Sequence, residues 1–228
     1  KPGTSRASFL RAINRDSLHR MIFTQKDMIE KTAEPTSVGS ESVDGRRKRS
    51  QRSREKIIDA LFRLIKDGDP DPSVVSVAKA SGVSLRTTFR HFKDLNSIFI
   101  EMSQQLKDEL NPIVYAPYES KTWRGKLQEL IARRAMVFER TMHAKMSGDR
   151  RRHRSQFLMS DYLLFIERER ATLLDVLPKN VTRNKRKAES LLMALSFQSW
   201  TQMRLQQDLE PSDAEEVMHT IATALLGE

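Results

Sequence analysis

The chain has 228 residues, of which 38% are hydrophobic, enough to build a core in one or two modest domains. Forty Lys and Arg against thirty Asp and Glu give a formal net charge of +10, which favours an anionic partner, either nucleic acid or a membrane surface. The absence of cysteine excludes disulfides, thiolate metal sites and cysteine nucleophiles. No apolar run approaches the roughly 20 residues that span a bilayer, and no secretory signal follows Lys1, so we expect a soluble, cytoplasmic protein.

Residues 1–45 differ in composition from the rest and are predicted to form a flexible arm. The first half, SFLRAINRDSLHRMIF, is rich in arginine and loosely helical in its apolar spacing, which also fits an amphipathic surface or transit helix. The second half, KTAEPTSVGSESVDG, is a linker punctuated by Ser, Gly and Pro. Terminal segments of this kind are commonly disordered.

A cationic run, RRKRSQRSREK, follows the arm. Its residues Arg46, Arg47, Lys48 and Arg49 repel one another, so we expect an extended segment that meets DNA phosphates, with a solvated tail as the alternative. The run leads into IIDALFRLI, whose apolar residues recur at three- and four-residue intervals before Gly68. This pattern predicts a first helix with a cationic entrance.

Two short helices joined by a tight turn are predicted next. Ser73, at the end of the turn sequence DPDPS, can cap the second helix, and Gly82 supplies the backbone freedom that a tight turn needs. Ser84 can cap the third helix through its hydroxyl. Because the outward side chains of the third helix are almost all hydrogen-bond donors, ASGVSLRTTFRHF predicts a helix-turn-helix that places this helix in a groove of DNA.

These segments resemble the DNA-binding domain of the TetR-type (tetracycline-repressor-like) transcriptional regulators. IIDALFRLI, VAKASGVSLRTTFRHF and DLNSIF follow the order and spacing of that family, and SFQSWTQMRLQQDLEPSDAEEV is similar to its last two helices. The resemblance implies an all-α fold with a three-helix DNA-binding domain over residues 46–100 and a helical bundle for effector binding and dimerisation over 101–228. The implied function is a repressor released from double-stranded operator DNA by a small-molecule effector.

The resemblance also implies which residues contact the operator. Family members touch DNA from the positions that hold Ser84, Leu85, Arg86, Thr87, Phe89, Arg90, His91 and Lys93 here. Arg86 and Arg90 are the candidates for guanine edges, because arginine pairs with guanine through two hydrogen bonds. His91, at a helix end, is interpreted as a cap and phosphate contact, not as a catalytic residue.

The sequence departs from the family at three positions of this region. Phe89 replaces a tyrosine, so the phosphate hydrogen bond of a phenol is lost. Thr88 replaces a leucine on the inward face, which predicts looser packing of the helix. Leu95 replaces a lysine, whose phosphate contact Lys93 can supply from two residues earlier.

Beyond Asp94, a predicted helix cap, apolar stripes predict one helix after another and no strand. One stripe runs from Leu191 to Met203, and S-D-A-E at Ser212–Glu215 predicts a capping box for the last helix. Aromatic and Met side chains offer large, adaptable surfaces and are candidates for lining an effector cavity, or else belong to the core: Trp123, Met136, Phe157, Tyr162, Phe165, Trp200 and Met203.

The last two helices are apolar over more than one face, which predicts that a second copy of the chain covers one of them. The candidates for this homodimer interface are Leu191, Ala194, Leu195, Ser199, Met218, Ile221 and Leu225. The alternative is that these residues belong to the core of a single chain. The family resemblance implies the same homodimer, built as a four-helix bundle.

No catalytic motif stands out, and we predict a protein that is not an enzyme and binds no cofactor. Glu215 and His219 could share a metal at a four-residue spacing, but no third ligand is visible and a helical surface pair is favoured. An architectural DNA-binding protein without an effector is the alternative to a regulator. Ligand-dependent loss of DNA binding would separate the two.

Overall fold

The computed structural model describes residues 40–227, with side chains from residue 45, and this part of the chain is helical and free of strands. The helices are α1 (Ser40–Lys66), α2 (Val74–Ser81), α3 (Leu85–His91), α4 (Leu95–Val114), α5 (Trp123–Arg151), α6 (Gln156–Val176), α7 (Lys179–Arg183), α8 (Lys185–Ala194), α9 (Phe197–Leu205) and α10 (Pro211–Leu226). A 3-10 turn, Arg152–Arg154, joins α5 to α6. The predicted all-α fold is confirmed. Within the described range, no helix has the length and apolarity to cross a membrane.

The basic run is helical, and the expectation of an extended segment is wrong. α1 begins at Ser40, so it contains Arg46–Arg49 as well as the last residues of the predicted arm, while residues 1–39 lie outside the described part of the chain. Arginine and lysine are good helix formers. Extending a formed helix adds one hydrogen bond for each residue fixed, whereas nucleating a helix is costly. The buried residues Ile57 and Leu61 anchor α1, and the helix propagates back through the cationic residues.

Local capping fixes the starts of α2, α3 and α4. Ser73 and Ser76 form a capping box at the start of α2, and Gly82 ends that helix at a φ of 67°, in the left-handed region that favours glycine. The hydroxyl of Ser84 accepts a hydrogen bond from the Thr87 N–H at 3.2 Å, and Asp94 caps α4 in the same way. The caps predicted at Ser73, Ser84 and Asp94 and the turn at Gly82 are therefore confirmed.

A first hydrophobic core packs these helices together, and we call it the helix-turn-helix core. It contains Ile57 and Leu61 of α1, Val77 of α2 and Phe99 of α4, all almost fully enclosed. Each buried aliphatic or aromatic side chain of this size stabilises the fold by about 1.5–3 kcal/mol. The core extends beyond α4, because Ala144 of α5 and Leu158 of α6 also belong to it.

A second core lies among α5, α6 and the helices that follow, and we call it the bundle core. At its centre, the ring centroid of Phe138 lies 5.6 Å from that of Phe197 and 6.2 Å from that of Phe165, both edge to face. Trp200 is fully enclosed and donates its indole N–H to a Glu139 carboxylate oxygen at 3.1 Å. The interior of this region is therefore a large aromatic cluster in which the indole N–H of Trp200 has a hydrogen-bond acceptor.

The apolar stripe from Leu191 to Met203, predicted as one helix, is divided between α8 and α9. Ser196 caps α9, and the buried Arg134 and the half-buried Glu169 satisfy the backbone groups at the break. The Arg134 guanidinium donates to the Leu195 carbonyl at 2.7 Å, and a Glu169 carboxylate oxygen accepts from the Phe197 N–H at 2.7 Å. These are backbone groups that helix ends leave without an intrahelical partner.

The last helix begins differently from the sequence prediction. Pro211 is its first residue, and the cap residue, Glu210, makes no side-chain hydrogen bond to the helix. Ser212 therefore lies inside the first turn, and the capping box predicted at Ser212–Glu215 is wrong. Proline is favoured at the first helical position because an N–H there would have no intrahelical acceptor and because the φ of proline is already close to the helical value.

Candidate nucleic-acid interface

The candidate DNA-contacting surface of the helix-turn-helix is a stripe of exposed side chains along α3. Leu85 is 40% exposed and Phe89 51% exposed, and Arg86 and Arg90 beside them are also exposed. Residues four positions apart lie on the same face of a helix, so Leu85 with Phe89 and Arg86 with Arg90 form two adjacent rows. Two aromatic or aliphatic side chains and two guanidinium groups therefore point away from the core together, as a surface that reads base edges and thymine methyl groups requires.

The polar residues at the start of α3 are held by their own helix. Ser84 accepts from the Thr87 N–H and donates to the Thr87 hydroxyl at 3.0 Å. The inward Thr88 is fully buried, and its hydroxyl donates to the Ser84 carbonyl at 3.1 Å, so it carries no unsatisfied polar group. Leu95 is buried at the start of α4, where it belongs to the helix-turn-helix core, while Lys93 is exposed in the preceding turn.

Arg54 of α1 holds the end of α3, a contact that the sequence analysis did not predict. Its guanidinium pairs with both carboxylate oxygens of Glu101 on α4, with Nε 2.6 Å from Oε1. It also donates to the His91 carbonyl at 3.1 Å and stacks 4.5 Å from the centroid of the Phe92 ring. No local pattern in the sequence indicates this arrangement, because the paired residues are 47 positions apart.

His91 is placed differently from the other residues of the stripe. Its Nε2 is buried and has no hydrogen-bond partner among the described residues. Burial lowers the pKa of His91, and the nearby cations Arg90 and Arg54 lower it further. The imidazole is therefore favoured in its neutral form at pH 7, in which a phosphate contact gains little from charge. The predicted role of His91 as a phosphate contact stays a prediction.

The four cationic residues at the entrance, Arg46, Arg47, Lys48 and Arg49, are all exposed on α1. A helix repeats every 3.6 residues, so four consecutive residues project around its whole circumference. One DNA duplex therefore contacts only some of these four side chains at a time. Their predicted contribution to DNA binding stays a prediction.

The structure distributes the predicted effector-cavity residues over two cores and the surface. Trp123, Phe165, Trp200 and Met203 belong to the bundle core or pack against it. Phe157 instead packs against the helix-turn-helix core, and Tyr162 lies under the Arg152 guanidinium, 3.9 Å from its ring centroid.

Met136 does not fit the predicted cavity. It is 56% exposed on α5, so it cannot line an enclosed site. The aromatic and Met composition that suggested this residue carries no information about which face of α5 it occupies.

The predicted dimer residues divide between core and surface. Leu191, Leu195 and Met218 are fully enclosed within one chain, which agrees with the alternative that they belong to the monomer core. Ala194, Ser199 and Leu225 are half-buried, and Ile221 is 37% exposed. Met193, which the sequence prediction did not include, is 75% exposed on α8.

The candidate metal pair forms an ordinary surface contact. His219 Nε2 lies 3.8 Å from a Glu215 carboxylate oxygen on α10. Among residues 45–227, no group of three His, Cys, Asp or Glu side chains is arranged to hold a metal ion.

Comparison with known proteins gives the fold. No protein-family model and no curated protein matches the sequence. Among solved structures, the chain is similar to a TetR family transcription regulator from Marinobacter aquaeolei VT8, with a TM-score of 0.51 and 18% sequence identity over 78% of this chain and 97% of that one. The chain therefore has a TetR-like fold.

Proposed function

We propose that the protein is a DNA-binding transcriptional regulator that binds double-stranded operator DNA as a homodimer and is released from it by a small-molecule effector. The observation that carries this proposal is the exposed stripe of Leu85, Arg86, Phe89 and Arg90 on a capped helix of a helix-turn-helix. The TetR-like fold supports the same function, since the similar solved structure is described as a transcription regulator. The net charge of +10 favours an anionic partner of this kind.

Assembly as a homodimer is supported by apolar side chains that one chain leaves uncovered. Met193 on α8 and Ile221 on α10 are both exposed, and these helices pack against each other. Scattered apolar side chains are normal on a surface, but exposed apolar side chains on two helices that pack together suit a two-fold contact. Two copies would present two recognition helices to two half-sites one or more helical turns apart.

Release by an effector requires that the ligand bind a conformation unsuited to DNA more tightly than the DNA-bound one. α4 is the proposed transmission element, because it contributes Phe99 to the helix-turn-helix core and packs against α5. A second connection supports this coupling, since Ser147 and Arg151 of α5 donate to the carbonyls of Pro70 and Pro72 at 2.9 and 3.3 Å. A tilt of α5 would therefore pull on the turn before α2.

The first test identifies the operator and then perturbs the stripe. Binding sites are selected from a random DNA pool with the full chain, and affinities are measured across a salt series. We expect Arg86→Ala and Arg90→Ala to cost roughly 1–3 kcal/mol each on the selected site and to relax the base preference. Replacing Arg46, Arg47, Lys48 and Arg49 together should weaken binding to all DNA and flatten the salt dependence.

Matched controls make this test specific. Arg140→Ala removes an exposed arginine from α5 and should leave DNA binding unchanged. Unaltered affinity in both stripe variants would contradict the assignment of α3 as the recognition helix. An architectural protein, the alternative, would bind DNA without selecting a sequence and would lose no affinity with any ligand.

A further inference from the structure

The two rows of the exposed stripe on α3 differ in chemistry and in direction. Each residue of a helix is rotated by about 100° from the residue before it. Counted around the helix from the buried Thr88, Arg86 and Arg90 point about 160° and about 200° away, which is directly outward from the core. Leu85 and Phe89 point about 60° and about 100° away, so they lie on one flank. We call Leu85 and Phe89 the apolar row.

The chain leaves the apolar row uncovered. Phe89 is 51% exposed and Leu85 is 40% exposed, whereas Phe92, directly after the same helix, is 2% exposed. The opposite flank of α3 carries the polar residues Thr87 and His91, which are both half-buried. The outward arginines of α3 therefore stand between an apolar flank and a polar flank.

These flanks suit different parts of a DNA duplex. A helix fills the major groove, which is about 12 Å wide, so both of its flanks lie close to DNA. Hydroxyl groups such as that of Thr87 suit phosphate oxygens. An apolar side chain against a phosphate would displace water without replacing its hydrogen bonds, which is unfavourable. The C5-methyl of thymine is the apolar group that bases present in this groove, and it is therefore the partner that fits the apolar row.

We propose that Leu85 and Phe89 determine specificity by contacting thymine methyl groups, beside the guanines that Arg86 and Arg90 contact. Residues four positions apart are separated by about 6 Å along the helix axis, which corresponds to roughly two base steps. Each operator half-site should therefore contain thymine within about two base pairs of these guanines. The inference rests on the proposed function and deepens it, because it names the bases that α3 selects.

The first test alters the DNA and leaves the protein unchanged. After the operator has been selected from random DNA, each thymine of a half-site is replaced in turn by deoxyuridine, which lacks only the methyl group. The affinity of the full chain, measured by fluorescence anisotropy, should fall about fourfold at the contacted thymines and stay the same at the others. At a contacted position, a pair of 5-methylcytosine with guanine should also bind about fourfold more tightly than the unmethylated pair.

The second test assigns the methyl contact to the apolar row. In Phe89→Ala and Leu85→Ala, the difference between thymine and deoxyuridine should disappear at the position that each side chain contacts. Arg86→Ala should lower the affinity yet keep this difference, because the apolar row is intact. Met136→Ala is the matched control, since Met136 is 56% exposed, like Phe89, but lies on α5 outside the helix-turn-helix.

Three results would overturn the proposal. They are a half-site without thymine near the guanines, an operator in which deoxyuridine replaces every thymine without loss, and a thymine preference that persists in both Phe89→Ala and Leu85→Ala. Operator selection that still depends on Arg86 and Arg90 would then leave the proposed function standing. Selection of no DNA sequence would contradict the proposed function and the inference together, so the two failures are distinguishable.

Discussion

Arg54 lies outside the exposed stripe of α3, yet its contacts hold the end of the helix that carries the stripe. Its guanidinium joins Glu101 of α4, the last carbonyl of α3 and the Phe92 ring. Helical periodicity is sufficient to predict the outward stripe of α3, because that pattern is local. The partner of Arg54 is 47 positions away, so only the folded chain reveals it.

We expect Arg54→Met to lower the free energy of unfolding by about 1–2 kcal/mol, because a charge-assisted pair is lost at a partly exposed site. Operator affinity should fall while the base preference stays the same, since the side chains of the stripe are intact. Urea unfolding and selected-site sequencing measure the two effects. Arg52→Met, an exposed neighbour on α1, should leave stability within about 0.5 kcal/mol of wild type. A changed base preference in Arg54→Met would instead indicate direct contact with DNA.

At the scale of helices, a helix end can be predicted from sequence when the residues that stabilise it are close together in the chain. Ser73, Ser84 and Asp94 bond to backbone groups three residues away, and their caps were predictable from a few letters of sequence. The break between α8 and α9 was not, because Arg134 on α5 and Glu169 on α6 stabilise it from distant parts of the chain. The apolar stripe that crosses the break is continuous and gives no sign of it.

The break makes Arg134 a critical residue for stability. Arg134→Met should cost about 3–5 kcal/mol, because it leaves the Leu195 carbonyl unpaired and Glu169 buried without its counter-charge. Arg140→Met, on the same helix but paired with Glu109 at the surface, should cost about 0–1 kcal/mol. Urea unfolding monitored by tryptophan fluorescence reports both values, since Trp200 lies beside the break. Similar losses in the two variants would contradict a structural role for the buried guanidinium.

At the scale of the molecule, the two exposed apolar residues on α8 and α10 should determine assembly. We expect Met193→Glu and Ile221→Glu to shift a dimer towards monomer and to weaken operator binding, because a single recognition helix loses the second half-site. Leu164→Glu, at 39% exposure on α6, matches Ile221 at 37% and should leave the mass unchanged. Light scattering at micromolar concentration reads the mass directly. A wild-type monomer that still binds a palindromic site tightly would be incompatible with this expectation.

The mixed origin of the helix-turn-helix core limits how the protein can be engineered. Ala144 and Leu158 complete a core that otherwise comes from α1, α2 and α4. A chimaera that joins helices α1–α4 to a foreign domain would therefore leave the helix-turn-helix core without Ala144 and Leu158. The portable block has to include the junction of α5 and α6 through Leu158, so the first four helices cannot be transplanted alone.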